Sequence, residues 1–480
     1  MNRREFLFGS AAATLSSRLF AVPAGAPLEG EARLKLGIMS DVHLRTPGDE
    51  TALVKALAWF RDHGADGVMI AGDIADSGRI EQLRRLADAW WTAFPGGKAP
   101  DGRKVEQLFV YGNHDIDGWT WGASKERQAD PDYRAQCLGA DDNRRRVWKE
   151  LFHEEYSPIC LKTVKGYAVV GMHWGEQAGL EKFFSGHAAQ LSGAKPFFYA
   201  QHAHPKDTCL GPWAWGAEPL STKVLSKFPN AVAFSGHSHY SLTDERTVWQ
   251  GAFTSVNTSS MRYSSLDYNL RDNAPGNGWG YQKHNAGHLT PQVPTGEGQQ
   301  ALFLTVTDEA MRLKRLEFHY GAESLGDDWV IPVASTPTAR PFAFEPRASK
   351  RSAPAFAAGA AVKVEKFSAD GPKGKDGQPT KVERVRVTWP AAKSVNGCRV
   401  FEYEVQPLVE EDSVALPLAA KRVLAYDFHL AEARATREGQ CVFALSDFPP
   451  SARIRFEVRP VECFGRKGQP ISSVPDVLCC

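Results

Sequence analysis

Gly112-Asn113-His114-Asp115 is the stretch of this 480-residue chain on which its fold and function depend, because it places an amide, an imidazole and a carboxylate directly after an apolar segment. By itself the stretch predicts a turn as readily as a functional loop, since Gly and Asn tolerate left-handed backbone and Asp caps loops. Four further blocks of ligand-type side chains also follow apolar segments: Asp41-Val42-His43, Gly72-Asp73, His202-Ala203-His204 and Gly236-His237-Ser238-His239. Five such blocks are hard to explain by chance, and together they predict one site.

The apolar segments between these blocks predict alternating strands and helices. The predicted elements of the first part are strands at 34–39, 68–71 and 105–111 and helices at 51–63 and 80–90. Strand, helix, strand, helix, strand is the pattern of an α/β layer, and periodicity alone suggests a parallel sheet. Ligands of such sheets collect beyond the carboxyl ends of the strands, which is where Asp41, Asp73 and Asn113 lie.

Further strands are predicted downstream, up to about residue 333. They are expected at 167–172, 196–200, 231–235 and 252–256, with a hairpin at 301–306 and 312–318. Residues 116–150 are polar and are interpreted as an insertion near the mouth of the site, and the loop at 264–298 as a cover over the pocket. The first domain is therefore predicted to span residues 32–333.

The remainder of the chain predicts a second, all-β domain. Residues 334–361 are rich in Pro, Ala, Ser and Arg, which is typical of a linker or of a strap across the first domain. Residues 362–480 alternate like short strands with turns between them. Around Trp389-Pro390 and Phe448-Pro449-Pro450 they resemble a fibronectin type III β-sandwich, which implies a fold and no function.

Composition excludes one class of partner and leaves the state of the cysteines open. Lys and Arg number 57 against 56 Asp and Glu, and no basic run is interleaved with aromatic residues, so nucleic acid is not expected as a partner. Eight cysteines lack metal-ligand spacing apart from the terminal pair Cys479-Cys480. They are consistent either with disulfides of unknown pairing or with buried free thiols.

The N-terminus resembles a twin-arginine export signal. Arg3-Arg4 is followed by a mildly apolar stretch rich in Ala and Ser. Cleavage is expected near Ala24 or Ala26, so residues 1–26 are assigned to the signal. The apolar stretch is too short and Ser-rich for a good membrane span, and no later segment is apolar for long enough. The protein is therefore expected in the periplasm or outside the cell.

Seven side chains in the five blocks have the chemistry of ligands for hard and borderline metal ions. They are Asp41, His43, Asp73, Asn113, His202, His237 and His239. Carboxylates, imidazoles and an amide without any thiolate suit Zn, Mn or Fe. Seven ligands are too many for one ion, so two ions bridged by one carboxylate are predicted, and Asp73, beside a glycine that admits close approach, is the natural bridge. His204 before Pro205 remains an alternative to His202.

Two divalent ions in one pocket predict phosphate chemistry. Their charge favours a phosphate group and lowers the pKa of a shared water, and ions roughly 3.5–4 Å apart can clamp the attacking and leaving oxygens. His114 has no place in the coordination sets, so it is predicted to protonate or stabilise the leaving oxygen, with Asp115 holding its imidazole in orientation.

The motifs Asp-x-His, Gly-Asp, Gly-Asn-His-Asp, His and Gly-His-x-His, in this order over residues 34–257, resemble the calcineurin-like metallophosphoesterase family. The resemblance implies a double β-sandwich flanked by helices, with mixed sheets in place of a parallel one. It also implies two ion sites that share Asp73: Asp41, His43 and His239 complete the first, and Asn113, His202 and His237 the second. His114 matches the family's catalytic histidine. Asp76 stands where purple acid phosphatases have a tyrosine, which argues against a tyrosinate-bound ferric ion.

The sequence therefore predicts an exported, dinuclear metal-dependent phosphoesterase that hydrolyses a phosphate ester with a hydroxide bridging the ions and His114 at the leaving group. A diester substrate is preferred, and a phosphomonoesterase or nucleotidase on the same site is the alternative. A third interpretation is a metal-stabilised binding protein without activity, which acts through the C-terminal sandwich on a protein or glycan. A lost ligand or a missing His114 would favour that interpretation, and neither is seen.

Overall fold

The computed structural model describes residues 30–209, 218–265, 294–333, 340–373, 377–411, 414–425, 427–434 and 438–477. The predicted export signal, most of the loop predicted to cover the pocket and the terminal cysteine pair lie outside the described residues. Within them, no helix combines the length and the apolar character that crossing a bilayer requires. The cysteines of the described part are all free thiols: Cys137, Cys160, Cys209, Cys398, Cys441 and Cys463.

Sheet A contains the first three predicted strands. In order across the sheet its strands are Glu323–Ser324, Ala310–Glu317, Gln300–Val306, Leu34–Met39, Gly67–Ala71 and Glu106–Val110, and Trp329–Pro332 pairs with the second of them. The last three run parallel, whereas Gln300–Val306 pairs antiparallel with Leu34–Met39. The purely parallel sheet is therefore wrong, because a hairpin more than 200 residues downstream inserts beside the first strand. The mixed sheet implied by the resemblance is confirmed.

Sheet B is also mixed. Its strands are, in order, Ile159–Val164, Tyr167–Met172, Phe197–Ala200, Ala231–Ser235, Thr254–Asn257 and Val248–Gln250. The four inner strands are parallel, and the two edge strands run antiparallel to their neighbours. A separate short ladder pairs Ser264–Ser265 with Pro294–Thr295.

The two sheets pack face to face, and helices cover their outer faces. The core between the sheets includes Ile38, Met69 and Val110 from one side and Phe198 and Phe234 from the other. Sheet A is covered by Thr51–Asp62, Ile80–Ala93 and Asn143–Phe152, and sheet B by Leu180–Gly186, Ala188–Leu191 and Pro219–Leu225. The shorter helix Asn113–Ile116 carries the Gly-Asn-His-Asp block, and Lys125–Ala129 and Pro131–Ala135 lie in the polar insertion. This four-layer arrangement is the predicted double β-sandwich flanked by helices.

The helix Thr51–Asp62 shows why amphipathic segments form the outer layers. Its buried residues recur at helical spacing: Ala52, Leu53, Ala56, Leu57 and Phe60. A side chain at Gly37, in the strand beneath, would collide with the Phe60 ring. The glycine therefore sets how closely the helix approaches the sheet.

The C-terminal part of the chain is all-β. One antiparallel sheet contains Lys363–Lys373, Pro379–Trp389 and Gly439–Ala444. The other contains Val414–Pro417, Val400–Glu411, Arg453–Glu462 and Ile471–Ser472, with Lys421–Leu424 and Asp476–Val477 as additional strands. Both sheets contribute to one apolar core, which includes Val387, Trp389, Phe443 and Phe456. We call this region the C-terminal sandwich, and its likeness to fibronectin type III stays a prediction.

The described residues of the segment between the two parts contact both of them. The Phe342 amide donates to Gln250 Oε1 at 3.0 Å, and its ring belongs to the core between sheets A and B. The helix Phe344–Ser349 follows. Arg351 then forms an ion pair with Glu462 of the C-terminal sandwich at 3.2 Å.

Candidate metal centre

The five sequence blocks meet at the carboxyl ends of parallel strands from both sheets. The strand ends of sheet A carry Asp41, Asp73 and Asn113, and those of sheet B carry His202, His237 and His239. Hydrogen bonds join the loops across the two sheets. The His237 amide of sheet B donates to both carboxylate oxygens of Asp41 of sheet A, at 2.9 and 3.1 Å. Within sheet B, the Gly236 amide donates to the carbonyl of His202 at 2.8 Å.

One cluster of ligand-type atoms consists of Asp41, His43 and His239. His239 Nε2 lies 3.0 Å from Asp41 Oδ1 and 3.1 Å from His43 Nε2. The three residues are 0%, 2% and 6% exposed. Their ligand atoms all lie within 4.8 Å of one another, which is close enough for three atoms that contact one ion.

A second cluster consists of Asp73, His202 and His237. His202 Nε2 lies 2.9 Å from Asp73 Oδ2 and 3.1 Å from His237 Nδ1. The same Asp73 oxygen is 3.8 Å from His43 Nε2 in the first cluster. Asp73 therefore stands between the clusters, where a bridging carboxylate would have to be.

The buried polar atoms around the clusters fit a pair of metal ions. Asn113, which the resemblance implies as a ligand, has a buried Oδ1 that accepts no hydrogen bond from the described residues. Such an acceptor costs about 1–3 kcal/mol unless another group contacts it, and a cation would meet that need. Of the two alternatives in the fourth block, His202 lies in a cluster, whereas His204 is in none of the ligand clusters of the described chain.

The backbone at five of the ligand-type residues has an unusual conformation. Positive φ angles between 47° and 71° occur at Asp41, His43, Asp73, His237 and His239. Residues other than glycine avoid this region at a cost of about 1–3 kcal/mol each, and such strain concentrates at functional sites. The rest of the fold must hold this constellation in place, because local preference opposes it.

The sequence of this region matches a known family. Residues 34–241 match the family model of the calcineurin-like phosphoesterases. This region belongs to the calcineurin-like phosphoesterase family. Membership places the protein among the metal-dependent phosphoester hydrolases, and residues 34–241 are called the phosphoesterase domain below.

Two solved structures are similar to this chain at low sequence identity. A dimetal phosphatase from Danio rerio is 12% identical with a TM-score of 0.34, and the alignment covers 63% of this chain and 100% of that one. A purple acid phosphatase from yellow lupin seeds (Lupinus luteus) is 12% identical with a TM-score of 0.37, covering 62% and 53% of the two chains. No curated protein matches this chain significantly in sequence. The family assignment therefore rests on the match of the domain sequence.

Partners behind the imidazoles of the phosphoesterase domain determine which ring nitrogens face the clusters. The Nδ1–H of His202 donates to the carbonyl of Ala71 at 2.8 Å, which leaves Nε2 facing Asp73. Asp76 Oδ1 lies 3.2 Å from His43 Nδ1, within ion-pair distance of that ring. A carbonyl or carboxylate in this position fixes the tautomer of a metal-ligating histidine and raises its basicity. Sequence reasoning assigned Asp76 no such role.

Burial and neighbouring charges shift the pKa values of the side chains in the two clusters in opposite directions. Burial alone would lower the pKa of His43, but the carboxylates of Asp41 and Asp76, whose oxygens lie 3.8 and 3.2 Å from its ring nitrogens, raise it to about 10. Burial alone would raise the pKa of Asp73, but the neighbouring His202 lowers it to about 2. The carboxylates thus hold protons on the imidazoles around them, and a divalent cation would have to displace those protons.

His114 lies beside both clusters. Its Nδ1–H donates to the carbonyl of Asp76 at 2.6 Å, so Nε2, which is 4.0 Å from Asp73 Oδ2, is the nitrogen that can exchange a proton within the site. Trp121 packs edge-on against the ring, with the ring centroids 4.6 Å apart. Burial lowers the pKa of His114, although the charge of Asp73 opposes this shift.

Asp115 makes different contacts from those predicted. Its carboxylate is fully buried and accepts hydrogen bonds from the backbone N–H groups of Gly112 (2.8 Å), Ala75 (2.7 Å) and Ile74 (3.2 Å). The predicted contact with the His114 imidazole is wrong, because successive residues of the helix Asn113–Ile116 point in different directions and Asp76 already holds the ring. Burial, with the charge of Asp73, raises the pKa of Asp115 to about 7. Asp115 joins two of the ligand-bearing loops.

Asp115→Ala should destabilise the phosphoesterase domain. The change leaves three buried amide groups without an acceptor, so we expect the free energy of unfolding to fall by roughly 3–5 kcal/mol. Urea unfolding of the metal-free protein measures this. Asp117→Ala is the matched control, because Asp117 accepts one hydrogen bond from Trp174 near the surface and should matter little. An Asp115→Ala protein as stable as the wild type but inactive would instead indicate a direct role in catalysis.

A polar segment after the last parallel strand of sheet B supports the site, and sequence reasoning missed it. Residues 257–260 (Asn-Thr-Ser-Ser) are fully buried. Asn257 Nδ2 donates to the carbonyl of Gly236 at 2.8 Å, and Ser260 Oγ donates to the carbonyl of Asp41 at 2.9 Å. The available signal was four polar residues directly after a predicted strand, the same position that the ligand blocks occupy.

Gly112→Ala should weaken metal binding without unfolding the protein. A Cβ at Gly112 would collide with Asp73 Oδ1, and one at Gly236 would collide with Asp41 Oδ2. We therefore expect Gly112→Ala to lower metal affinity roughly 10–100-fold, as other changes that misplace a ligand do. Competition with a chelator, followed by elemental analysis, measures this. Gly186→Ala is the control, because a Cβ there has open space. Unchanged affinity in Gly112→Ala would show that this close approach is not required.

Proposed function

We propose that this protein is a dinuclear metal-dependent phosphodiesterase. The observation that carries the proposal is the place of Asp73 between two ligand clusters, 2.9 Å from His202 and 3.8 Å from His43. A single cluster would serve one ion, whereas two clusters that share a carboxylate suit a pair. The first ion would be held by Asp41, His43, Asp73 and His239, and the second by Asp73, Asn113, His202 and His237.

The protein's own residues would orient the metal ligands and exclude water from the buried carboxylates. When bound, the two ions would supply Lewis acidity that activates water and offsets the charge of a phosphoryl group. A ligand set of carboxylates, imidazoles and an amide favours Zn, Mn or Fe. Asp41 and Asp73 are 0% and 1% exposed. Because solvent does not reach these carboxylates, their charges can be compensated by bound cations.

His114 would deliver a proton to the leaving oxygen. The hydrogen bond from Nδ1 to the Asp76 carbonyl holds the ring, and Nε2 is left to face the clusters. With both nitrogens protonated, Nε2–H is the donor. After the transfer, the neutral ring keeps its proton on Nδ1, which is the tautomer that the carbonyl stabilises.

The described rim of the site favours an organic group on each side of the phosphorus. Trp121, which packs against His114, is 50% exposed. Tyr263 packs against His239, with the ring centroids 4.4 Å apart. Aromatic rings bind planar and apolar groups, such as those that a diester carries on both sides of the phosphorus. These rings support a diester over a monoester.

The test compares an aryl phosphodiester with the matching aryl phosphomonoester. Protein lacking residues 1–26 is reconstituted in turn with Zn, Mn and Fe, and bound metal is measured. We expect metal-dependent hydrolysis that is faster for the diester, and a higher KM for the diester in Trp121→Ala but not in Trp121→Phe. Faster monoester cleavage would contradict the diester preference. Two bound ions without any hydrolysis would favour a binding role for the protein.

We also propose that the protein is exported to the periplasm or beyond. Support comes from Arg3-Arg4, the mildly apolar stretch after it and the small residues up to Ala26. Fractionation of a bacterial host that expresses the full chain should find the processed protein outside the cytoplasm, and replacing both arginines by lysine should retain it inside. Cytoplasmic wild-type protein would contradict export.

A further inference from the structure

The turn that follows the metal-ligand block of sheet B is held by a buried glutamine from sheet A. Ser241, Leu242 and Thr243 come directly after His239 and Tyr240, and all three are nearly or fully buried. Gln300 Oε1 accepts a hydrogen bond from the Leu242 amide at 2.7 Å and one from Ser241 Oγ at 3.2 Å. Gln300 is itself 0% exposed.

The same glutamine is also linked, through its backbone, to Asp41 of the cluster that contains His239. The Gln300 amide donates to the carbonyl of Ser260 at 2.7 Å, and Ser260 Oγ donates to the carbonyl of Asp41 at 2.9 Å. Gln300 also begins the strand Gln300–Val306, which pairs with the strand that leads to Asp41. One residue thus connects the backbone near Asp41 with the turn after His239.

The C-terminal sandwich completes this network from the other side. Gln300 Nε2 donates to the carbonyl of His429 at 2.7 Å, and Thr243 Oγ1 donates to the carbonyl of Phe428 at 2.6 Å. His429 and Phe428 are 0% and 2% exposed, so water does not replace these contacts easily. Two adjacent carbonyls of the sandwich therefore hold the turn that begins two residues after His239.

We propose that the C-terminal sandwich is a structural part of the metal centre, and that Gln300 is the positioning residue that connects it to His237 and His239. The inference rests on the proposed dinuclear function, since it assigns these histidines to the ions. Both histidines have positive φ, 71° and 57°, so their loop needs outside support to stay in this conformation. Gln300, with Thr243, supplies that support from two regions of the chain at once.

Metal affinity should fall when the hydrogen bonds of Gln300 to Leu242 or to His429 are removed. Removal of the Gln300 side-chain amide takes away the acceptor of the Leu242 N–H and one donor to the His429 carbonyl, within a buried interface. The loop can then relax toward ordinary backbone angles, which moves His237 and His239 away from the converging arrangement. Residues that orient metal ligands typically change metal affinity roughly 10–100-fold when they are replaced.

The experiment measures metal stoichiometry and the rate of metal loss to a chelator in the full chain. Gln300→Leu should lose metal roughly 10–100-fold faster than the wild type. Gln300→Glu keeps an acceptor for Leu242 but loses the donor to His429. Thr243→Val loses the hydrogen bond to the Phe428 carbonyl and the one with Ser241 Oγ but keeps both bonds of the Gln300 side chain, so both variants should show intermediate rates. If Gln300→Leu does not fold, the rates of metal loss from Gln300→Glu and Thr243→Val test the inference.

Gln250→Leu is the matched control. Gln250 is 9% exposed and accepts a hydrogen bond from Phe342, away from the ligand loops. It should lower thermal stability without changing metal loss. Metal loss at the wild-type rate in all three network variants would overturn the inference, even if they were less stable. A wild type that binds two ions but hydrolyses nothing would contradict the proposed function alone, whereas one that binds no ion would overturn both.

Discussion

Asp73→Asn should abolish hydrolysis and leave at most one metal ion bound. Asp73 Oδ2 lies within 4 Å of ligand-type nitrogens from both clusters, and the amide of asparagine has the same size but cannot offer a bridging charge. We expect kcat/KM for an aryl phosphodiester to fall by about 10³-fold or more, the order of loss seen when electrostatic stabilisation of a transition state is removed. Elemental analysis and steady-state kinetics on the same preparation measure both effects.

Asp66→Asn is the control for this substitution. Asp66 is 8% exposed, directly precedes the strand Gly67–Ala71 that leads to Asp73, and accepts a hydrogen bond from the Lys35 amide at 2.9 Å. The change should alter stability slightly and leave metal content and kcat/KM close to those of the wild type. An Asp73→Asn protein that kept two ions and most of its activity would contradict the shared role of Asp73.

His114→Ala should lower activity in a manner that depends on the leaving group. An aryl oxide leaves readily without a proton, whereas an alkyl oxide needs one, so the loss should reach roughly 10²–10⁴-fold for a dialkyl diester and be smaller for a bis-aryl diester. Metal content should stay at two ions, because the ligand sets proposed for the ions do not include His114, although its ligand-type atom lies within 4.8 Å of those of His43 and Asp76. Rates across a series of leaving groups measure the effect.

His63→Ala is the matched control for His114. His63 lies at the exposed end of the outer helix Thr51–Asp62, where it stacks on Trp59. It should leave the dependence on the leaving group unchanged. An equal loss for alkyl and aryl leaving groups in His114→Ala would argue against proton donation and for a role in binding the phosphate.

The predictions from sequence that hold are those in which the evidence lies within one segment. The helix at 51–63 and the strand at 34–39 are observed at Thr51–Asp62 and Leu34–Met39, because apolar spacing reports the buried face of a single element. The prediction of a parallel sheet is wrong because the deciding contact lies between two distant segments. The pairing of Leu34–Met39 with Gln300–Val306 joins residues far apart in the chain, and periodicity contains no information about such a partner.

The difference between local and long-range evidence also applies to the site. The identity of the metal ligands could be predicted from single segments, whereas the residues that hold those ligands in place could not. Residue types in the five blocks predict which side chains could hold ions, and the structure brings six of the seven into two clusters. The contact of Asp115 was misassigned because adjacency in sequence suggested it, whereas three backbone amides determine it. Asp76 and Ser260 were missed because their partners come from other loops.

The sequence by itself determined the chemistry of this protein: the carboxylates, the imidazoles, the amide and the glycines that leave them room. Only the tertiary structure decided the left-handed backbone at Asp41, Asp73 and His239, the position of His202 in a cluster of ligand-type atoms, and the contact of Gln300 with the C-terminal sandwich. The physical reason is that these features are unfavourable or undefined locally. They exist because hydrogen bonds from distant segments outweigh local strain, and such bonds become visible only when the chain is folded.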